Sequence, residues 1–67
     1  MEIFAERLKE LRQERGVSLE TIAKAIGVSV IAVSRWENKK RIPNIESLVA
    51  IAKYFGVSTD YLVGMED

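Results

Sequence analysis

Residues 19–38 read LETIAKAIGVSVIAVSRWEN, and the spacing of the apolar side chains in this stretch decides the fold. Ile22 and Ile26 are four positions apart, so they share one face of a helix. Val33 and Trp36 are three positions apart and share a face of a second helix. This register favours core packing for Trp36 over stacking on a nucleotide. The stretch therefore predicts two short helices in succession.

The junction between these two helices carries Gly27. A helix that reverses direction within a few residues commonly ends in a residue with positive φ, which glycine adopts without a Cβ clash. Ala23 lies one turn earlier, where a methyl group is about the largest side chain that fits between two closely crossing helices. The junction predicts a helix-turn-helix.

The remainder of the chain predicts three further helices, and no stretch alternates as a strand would. The predicted helices are residues 2–15, ended by Gly16; 19–26, capped by Ser18; about 30–38, capped by Ser29; a fourth from Asn44 to Gly56; and a short fifth from Ser58 to Gly64. The predicted inward positions are Ile3, Phe4, Leu8 and Leu11 on the first helix and Ile45, Leu48, Ile51, Ala52 and Phe55 on the fourth. We expect a compact, all-α, five-helix domain that spans residues 1–67 as one unit.

Composition excludes several classes of function. The chain has no Cys and no His, so thiolate or imidazole metal sites and histidine acid-base catalysis are ruled out. It also lacks a glycine-rich phosphate loop, and we expect no enzyme activity, no cofactor, no metal and no small-molecule ligand. The longest apolar run, residues 28–33, is too short to cross a membrane, and acidic residues near the start argue against a signal peptide. We therefore expect a cytoplasmic protein without membrane contact.

Charge is unevenly distributed, although the net charge is zero. Residues 1–20 carry −1, residues 21–45 carry +4 and residues 46–67 carry −3. The positive charge thus coincides with the helix-turn-helix and the loop that follows it. This polarity is typical of a surface that meets phosphates.

Four segments resemble the Xre family of bacterial and phage regulators, which includes the phage repressor and Cro DNA-binding domains. They are GVSLETIAKAIGVS (16–29), SRWEN (34–38), PNIESLVAIAKYFGVS (43–58) and STDYLVG (58–64). The resemblance implies a repressor-like domain that binds double-stranded operator DNA, usually as a two-fold dimer, and regulates transcription. It places the second helix on the DNA backbone and the third, the recognition helix, in the major groove. It also implies a structural ion pair between Arg12 and Glu37.

The outward face of the third helix is predicted to meet base edges. Its members are Ser29, Val30, Ile31, Ser34, Arg35 and Asn38. Arg35 is the main candidate because its guanidinium can donate two hydrogen bonds to guanine O6 and N7, worth roughly 1–3 kcal/mol of discrimination. A phosphate contact or a surface ion pair is the alternative for Arg35. The two serines and Asn38 can reach either a base edge or a phosphate.

Phosphate contacts are predicted for a second set of residues. They are Ser18, Lys24, Lys39, Lys40 and Arg41. Lys39 also stands where the family commonly has a glycine that closes the third helix. A left-handed backbone at a lysine costs on the order of 1 kcal/mol.

Val30 and Ile31 differ from the polar side chains that the family commonly carries at these positions. Aliphatic side chains in the major groove can contact the C5-methyl group of thymine, so an A·T-rich target is one interpretation. The alternative is a protein-interaction module that keeps the fold and uses these two residues with the C-terminal helix. That helix is also where we expect a homodimer contact, through Tyr61, Leu62 and Met65.

Overall fold

Five α-helices make up the computed structural model, which describes residues 2–66. They are α1 (Glu2–Arg15), α2 (Leu19–Ile26), α3 (Val30–Glu37), α4 (Ile45–Phe55) and α5 (Thr59–Val63). No strand occurs within the described residues. The predicted all-α, five-helix class is confirmed, and the helix bounds agree closely with the sequence-based ones. The one shift is at α3, which ends at Glu37 with Asn38 as its C-cap.

Side-chain caps account for the starts of four helices. Each cap residue has an extended backbone, and its side-chain oxygen accepts a hydrogen bond from the backbone N–H three residues further on. These caps are Ser18, Ser29, Asn44 and Ser58. Between α2 and α3 the chain turns at Gly27, whose φ of 77° lies in the left-handed region that a side chain with a Cβ disfavours.

The core draws on every helix. Its members are Phe4, Leu8, Ile22, Ala23, Val33, Trp36, Ile51, Ala52, Phe55 and Leu62. From the opening stretch, Ile22, Val33 and Trp36 are all buried, as their spacing predicts. The packing sets α2 against α3 and α4, and α1 against α3 and α5. The helix-turn-helix is thus held from behind by α1 and α4, and α5 packs against these two helices.

Two predicted core positions are wrong. Ile3 is exposed, and Ala5 is buried in its stead, because the buried stripe of α1 begins at Phe4 and leaves Ile3 beside Gly64 at the edge of the domain. Ile45 is 79% exposed, because it directly follows the cap of α4, and the buried side of that helix begins at Leu48. Both residues lie near the start of a helix, beyond the edge of the core against which the rest of that helix packs.

Two arginines of α1 hold the far ends of other helices. The Arg7 guanidinium donates to the carbonyls of Tyr61 and Glu66, and its Cζ lies 4.2 Å from the centroid of the Tyr61 ring. Arg15 donates to the carbonyls of Tyr54 and Phe55. Carbonyl groups at a helix C-terminus lack partners within the helix, and cations there also interact favourably with the helix dipole. These contacts join α1 to α4 and α5.

Arg12 and Glu37 join α1 to the last residue of α3. Arg12 Nε donates to Glu37 Oε2 at 2.7 Å, and Nη2 donates to Oε1 at 3.1 Å. Arg12 Nη1 also donates to the carbonyl of Val17 at 3.3 Å. The Glu37 side chain is 7% exposed and that of Arg12 is 19% exposed. The hydrogen bond that Arg12 donates to Glu37 raises the pKa of Arg12 despite the opposing effect of burial, and the paired, forked geometry is the strong form of such contacts.

A left-handed residue closes α3. Lys39 has a φ of 64°, the one positive φ at a residue other than glycine in the described chain. Its N–H donates to the Trp36 carbonyl at 3.3 Å, and the Lys40 N–H donates to the Arg35 carbonyl at 2.9 Å. These two bonds are the pattern of a Schellman motif, in which a glycine usually occupies the left-handed position. The left-handed backbone of Lys39 therefore agrees with the prediction that this lysine stands where the family commonly has a helix-closing glycine.

Glu37→Ala is expected to lower the free energy of unfolding by about 1.5–3 kcal/mol, because the partly buried guanidinium of Arg12 loses its charged hydrogen bonds. Urea unfolding measures this. Glu10→Ala, on the exposed face of α1, is the control and should change stability by at most about 0.5 kcal/mol. A loss at Glu37 no larger than the loss at Glu10 would contradict a structural role for the pair.

Lys39→Gly is expected to raise the free energy of unfolding by about 1 kcal/mol, because glycine adopts the left-handed backbone without a Cβ clash. Lys39→Ala is the matched control. It removes the same charge but keeps the strain, so we expect stability within about 0.5 kcal/mol of the unsubstituted chain. Equal stabilities of the two variants in urea would contradict the role assigned to φ.

Candidate nucleic-acid interface

The outward face of α3 is partly apolar and partly basic. Arg35 and Asn38 are exposed, Ile31 is 62% exposed, and Val30 is only 37% exposed. Ser34 is half-buried, and its hydroxyl accepts a hydrogen bond from the Asn38 side-chain amide at 3.3 Å. Ile31 and Arg35 are four residues apart and therefore project from the same side of the helix. These two side chains dominate the surface that α3 presents.

An open groove of about 390 Å³ lies between α3 and the segment that leads into α4. Ile31, Arg35 and Trp36 line it from α3, and Arg41 and Ile42 line it from the loop. Two guanidinium groups and two exposed isoleucines thus border one concave surface. This mixture suits a polyanion whose bases carry apolar methyl groups.

The basic loop is held against α3 through the backbone of Arg35. Its carbonyl accepts the N–H of Lys40 at 2.9 Å and the N–H of Arg41 at 3.3 Å. The side chain that is predicted to read a base therefore belongs to the same residue that anchors two predicted phosphate ligands. These hydrogen bonds fix the relative positions of the Arg35, Lys40 and Arg41 backbones.

Ile42 is a groove residue that the sequence did not single out. Its sequence signal is only that it precedes Pro43, which favours an extended backbone. The return of the loop onto α3 depends on the left-handed Lys39, and no pattern in residues 39–43 predicts which loop side chain then faces the groove. Asn44 and Ser47, at the start of α4, line the same groove and were also missed as surface neighbours of α3.

The two cap serines, Ser29 with its predicted base contact and Ser18 with its predicted phosphate contact, differ in whether the hydroxyl hydrogen is free to donate. Ser29 Oγ accepts from the Ala32 N–H at 3.1 Å, which leaves the hydroxyl hydrogen able to donate. Ser18 Oγ accepts from the Thr21 N–H at 3.1 Å and lies 3.0 Å from Thr21 Oγ1, so its hydroxyl has a competing neighbour. Lys24 is exposed in the last turn of α2.

Lys39 differs from the other predicted phosphate ligands because its ammonium group lies near α1. Lys39 Nζ is 3.7 Å from Glu6 Oε2 and 3.9 Å from Glu2 Oε1. Among residues 2–66, Lys40 and Arg41 form no ion pair. Lys39 thus differs from its neighbours Lys40 and Arg41 in having carboxylate partners within the described chain.

The predicted dimer surface on the C-terminal helix is not available as a unit. Leu62 is fully buried in the core, so its placement in an interface is wrong. Tyr61 is half-buried beneath the Arg7 guanidinium. Met65 alone of the three is exposed, and it follows the end of α5. A five-residue helix must use its one leucine to attach itself to the domain.

Other kinds of site find no support in the described part of the chain. No group of three or more carboxylate, thiol or imidazole side chains within residues 2–66 could hold a metal ion. None of the five helices has the length and the apolar character that crossing a bilayer requires.

The fold and this surface together define a helix-turn-helix domain. A family model described as helix-turn-helix matches residues 8–62, and the chain belongs to this family, which is of the Xre type.

Several regulators are similar to the chain. The HTH-type transcriptional activator BcrR of Enterococcus faecalis is 41% identical over 64 residues, which are 96% of this chain and 31% of that protein. The HTH-type transcriptional regulator DdrOP3 of Deinococcus deserti is 44% identical over 64 residues, which are 94% of this chain and 50% of that protein. The chain thus spans about a third to a half of the length of these relatives.

A solved structure extends the likeness to a protein in complex with DNA. The crystal structure of the P22 c2 repressor with a synthetic operator superposes with a TM-score of 0.85 and 36% sequence identity, over 88% of this chain and 89% of that one.

Proposed function

We propose that residues 1–67 form one domain that binds double-stranded operator DNA in a sequence-specific manner and thereby regulates transcription. The observation that carries the proposal is the joint position of Arg35 and the basic loop, since the Arg35 carbonyl holds the backbone of Lys40 and Arg41. Membership of a family of regulators and the likeness to an operator-bound repressor support it. Because operator DNA lies in the bacterial cytoplasm, the proposal places the protein there.

The contacts divide into two kinds. In the major groove, α3 presents Arg35 and Ile31 to base edges, with Val30, Ser29, Ser34 and Asn38 around them. Lys40 and Arg41 neutralise phosphates beside the groove, and Ser18, Lys24 and Lys39 do so from its borders. Phosphate contacts orient the domain, whereas the base contacts select the sequence.

Repression, rather than activation, is the mode of regulation that needs the fewest additional interaction surfaces. Occupying an operator excludes other proteins from that DNA and requires no surface besides the DNA-binding one. One relative is named an activator and another a repressor. A two-fold dimer would bind half-sites about 10 base pairs apart from centre to centre, and Met65 is the exposed member of the C-terminal residues assigned to that contact.

Ile31 and Val30 support a preference for thymine. The C5-methyl group of thymine is the apolar feature of the major groove, and an exposed isoleucine beside Arg35 is complementary to it. The second candidate function is a protein-interaction module. The exposed apolar side chains of Ile31, Ile42 and Ile45 favour it.

Arg35→Ala is expected to weaken binding to a selected site by roughly 5- to 150-fold, the equivalent of about 1–3 kcal/mol, and to relax the preference at one base pair. The site is first selected from random double-stranded DNA with the unsubstituted chain. Arg35→Lys keeps the charge but not the fork, so it should lose the base preference while retaining weak, salt-sensitive binding.

Lys40→Ala is the contrasting control for this experiment. It should weaken binding to selected and scrambled DNA by similar factors and reduce the slope of log K against log salt concentration by about 1. If the unsubstituted chain enriches no motif and shows no salt-dependent binding, DNA binding is rejected and the protein-interaction module becomes the better explanation.

Deoxyuridine in place of thymine tests the apolar contact directly, because it removes only the methyl group. At a thymine opposite Ile31, we expect about a threefold to fourfold loss of affinity, from roughly 0.8 kcal/mol for one buried methyl group. Ile31→Ala should abolish the difference between the two bases, while Ile45→Ala should preserve it. Equal binding of thymine and deoxyuridine at every position would rule out methyl recognition.

A further inference from the structure

Lys39 is held at the end of α3 by its backbone rather than by its side chain. Its left-handed φ and the two hydrogen bonds of the helix closure set the direction in which its Cβ leaves the chain. From this position the side chain extends toward the first turns of α1, and it lines a shallow depression there with Ala5, Glu6 and Lys9. A glycine at this position would close the helix without the backbone strain but would present no cation.

The partners of Lys39 are two carboxylates on one side of α1. Glu2 and Glu6 are four residues apart and thus project from the same face of the helix. Both oxygens lie within 4 Å of Lys39 Nζ, and all three side chains are largely exposed to solvent. Glu37, the next acidic group nearby, is already bound by Arg12. The Lys39 ammonium group therefore faces an intramolecular substitute for a phosphate.

We propose that Glu2 and Glu6 compete with DNA phosphates for Lys39 and so lower the affinity of the domain for DNA of any sequence. The proposal rests on the DNA binding proposed above. When DNA approaches the basic loop, Lys39 exchanges two carboxylates for a phosphate, whereas Lys40 and Arg41 have no such pair to break among the described residues. The two glutamates are thus determinants of affinity that lie outside the DNA-binding surface.

The expected effect is modest, because exposed ion pairs are weak and are screened by salt. Breaking them should account for about a twofold to fivefold difference in affinity at low ionic strength. A phosphate contact carries no sequence information, so selected and scrambled DNA should be affected by the same factor. The ratio of the two affinities should stay constant.

The experiment compares two pairs of charge-neutralising substitutions on the same helix. Glu2→Gln with Glu6→Gln removes the partners of Lys39, whereas Glu10→Gln with Glu14→Gln removes the same charge one and two turns further along α1. We expect the first pair to bind both selected and scrambled DNA about twofold to fivefold more tightly at 50 mM salt, and the second pair to bind nearly as the unsubstituted chain does. Urea unfolding of each variant verifies that the fold is retained.

Lys39→Met separates competition for this lysine from a general change in charge. Methionine keeps an unbranched side chain without the ammonium group, so the gain from Glu2→Gln with Glu6→Gln should vanish in its presence. An equal gain from the Glu10 and Glu14 pair, no gain from either pair, or a gain that persists with Lys39→Met would each overturn the inference while leaving DNA binding intact. Failure of the unsubstituted chain to bind DNA would instead overturn the proposed function.

Discussion

The ion pair between Arg12 and Glu37 is the interaction on which the position of α3 depends. The helix is only eight residues long, and Val33 and Trp36 are its only two buried residues. Two nearly parallel hydrogen bonds from Arg12 fix its last residue against α1, and a third ties Arg12 to the carbonyl before α2. One guanidinium thus sets the end of α3 and the approach to α2. Because the charged groups are largely withdrawn from solvent, the site tolerates both partners together but not one alone.

The turn that ends α3 brings the basic loop to the side of that helix. Two residues after Glu37, the left-handed Lys39 returns the chain so that the backbone N–H groups of Lys40 and Arg41 donate to the carbonyl of Arg35. The position of the loop therefore follows from the position of α3, and the hydrogen bonds to the Arg35 carbonyl hold Lys40 and Arg41 beside Arg35. Strain at one lysine is the cost of this arrangement, at about 1 kcal/mol. A displacement of α3 would move the groups proposed to contact bases and those proposed to contact phosphates together.

The residues explain why the fold was predictable and the details of the surface were not. Caps, helix-ending glycines and the spacing of Ile22, Val33 and Trp36 depend on local geometry, and they are confirmed. Ile45 and Leu62 illustrate the limit, since one is exposed and the other buried against expectation. Burial at helix ends depends on where neighbouring helices stop, which no local period encodes. Ile42 enters the groove for a similar reason, because the turn at Lys39 lies outside any periodic pattern.

Zero net charge acquires a physical meaning when the charges are placed on the structure. The acidic residues of α1 do not merely balance the basic loop in the total, because Glu2 and Glu6 lie beside Lys39. Glu37 of α3 in turn binds Arg12 of α1. Within the described chain, the other two cations of the basic loop, Lys40 and Arg41, form no ion pair. In the proposed DNA complex, electrostatic attraction to DNA of any sequence is then low, so that affinity depends more on Arg35 and the apolar side chains around it. Discrimination between sequences rises when the non-specific part of binding is weak, because competing sites in a genome are bound through that part alone.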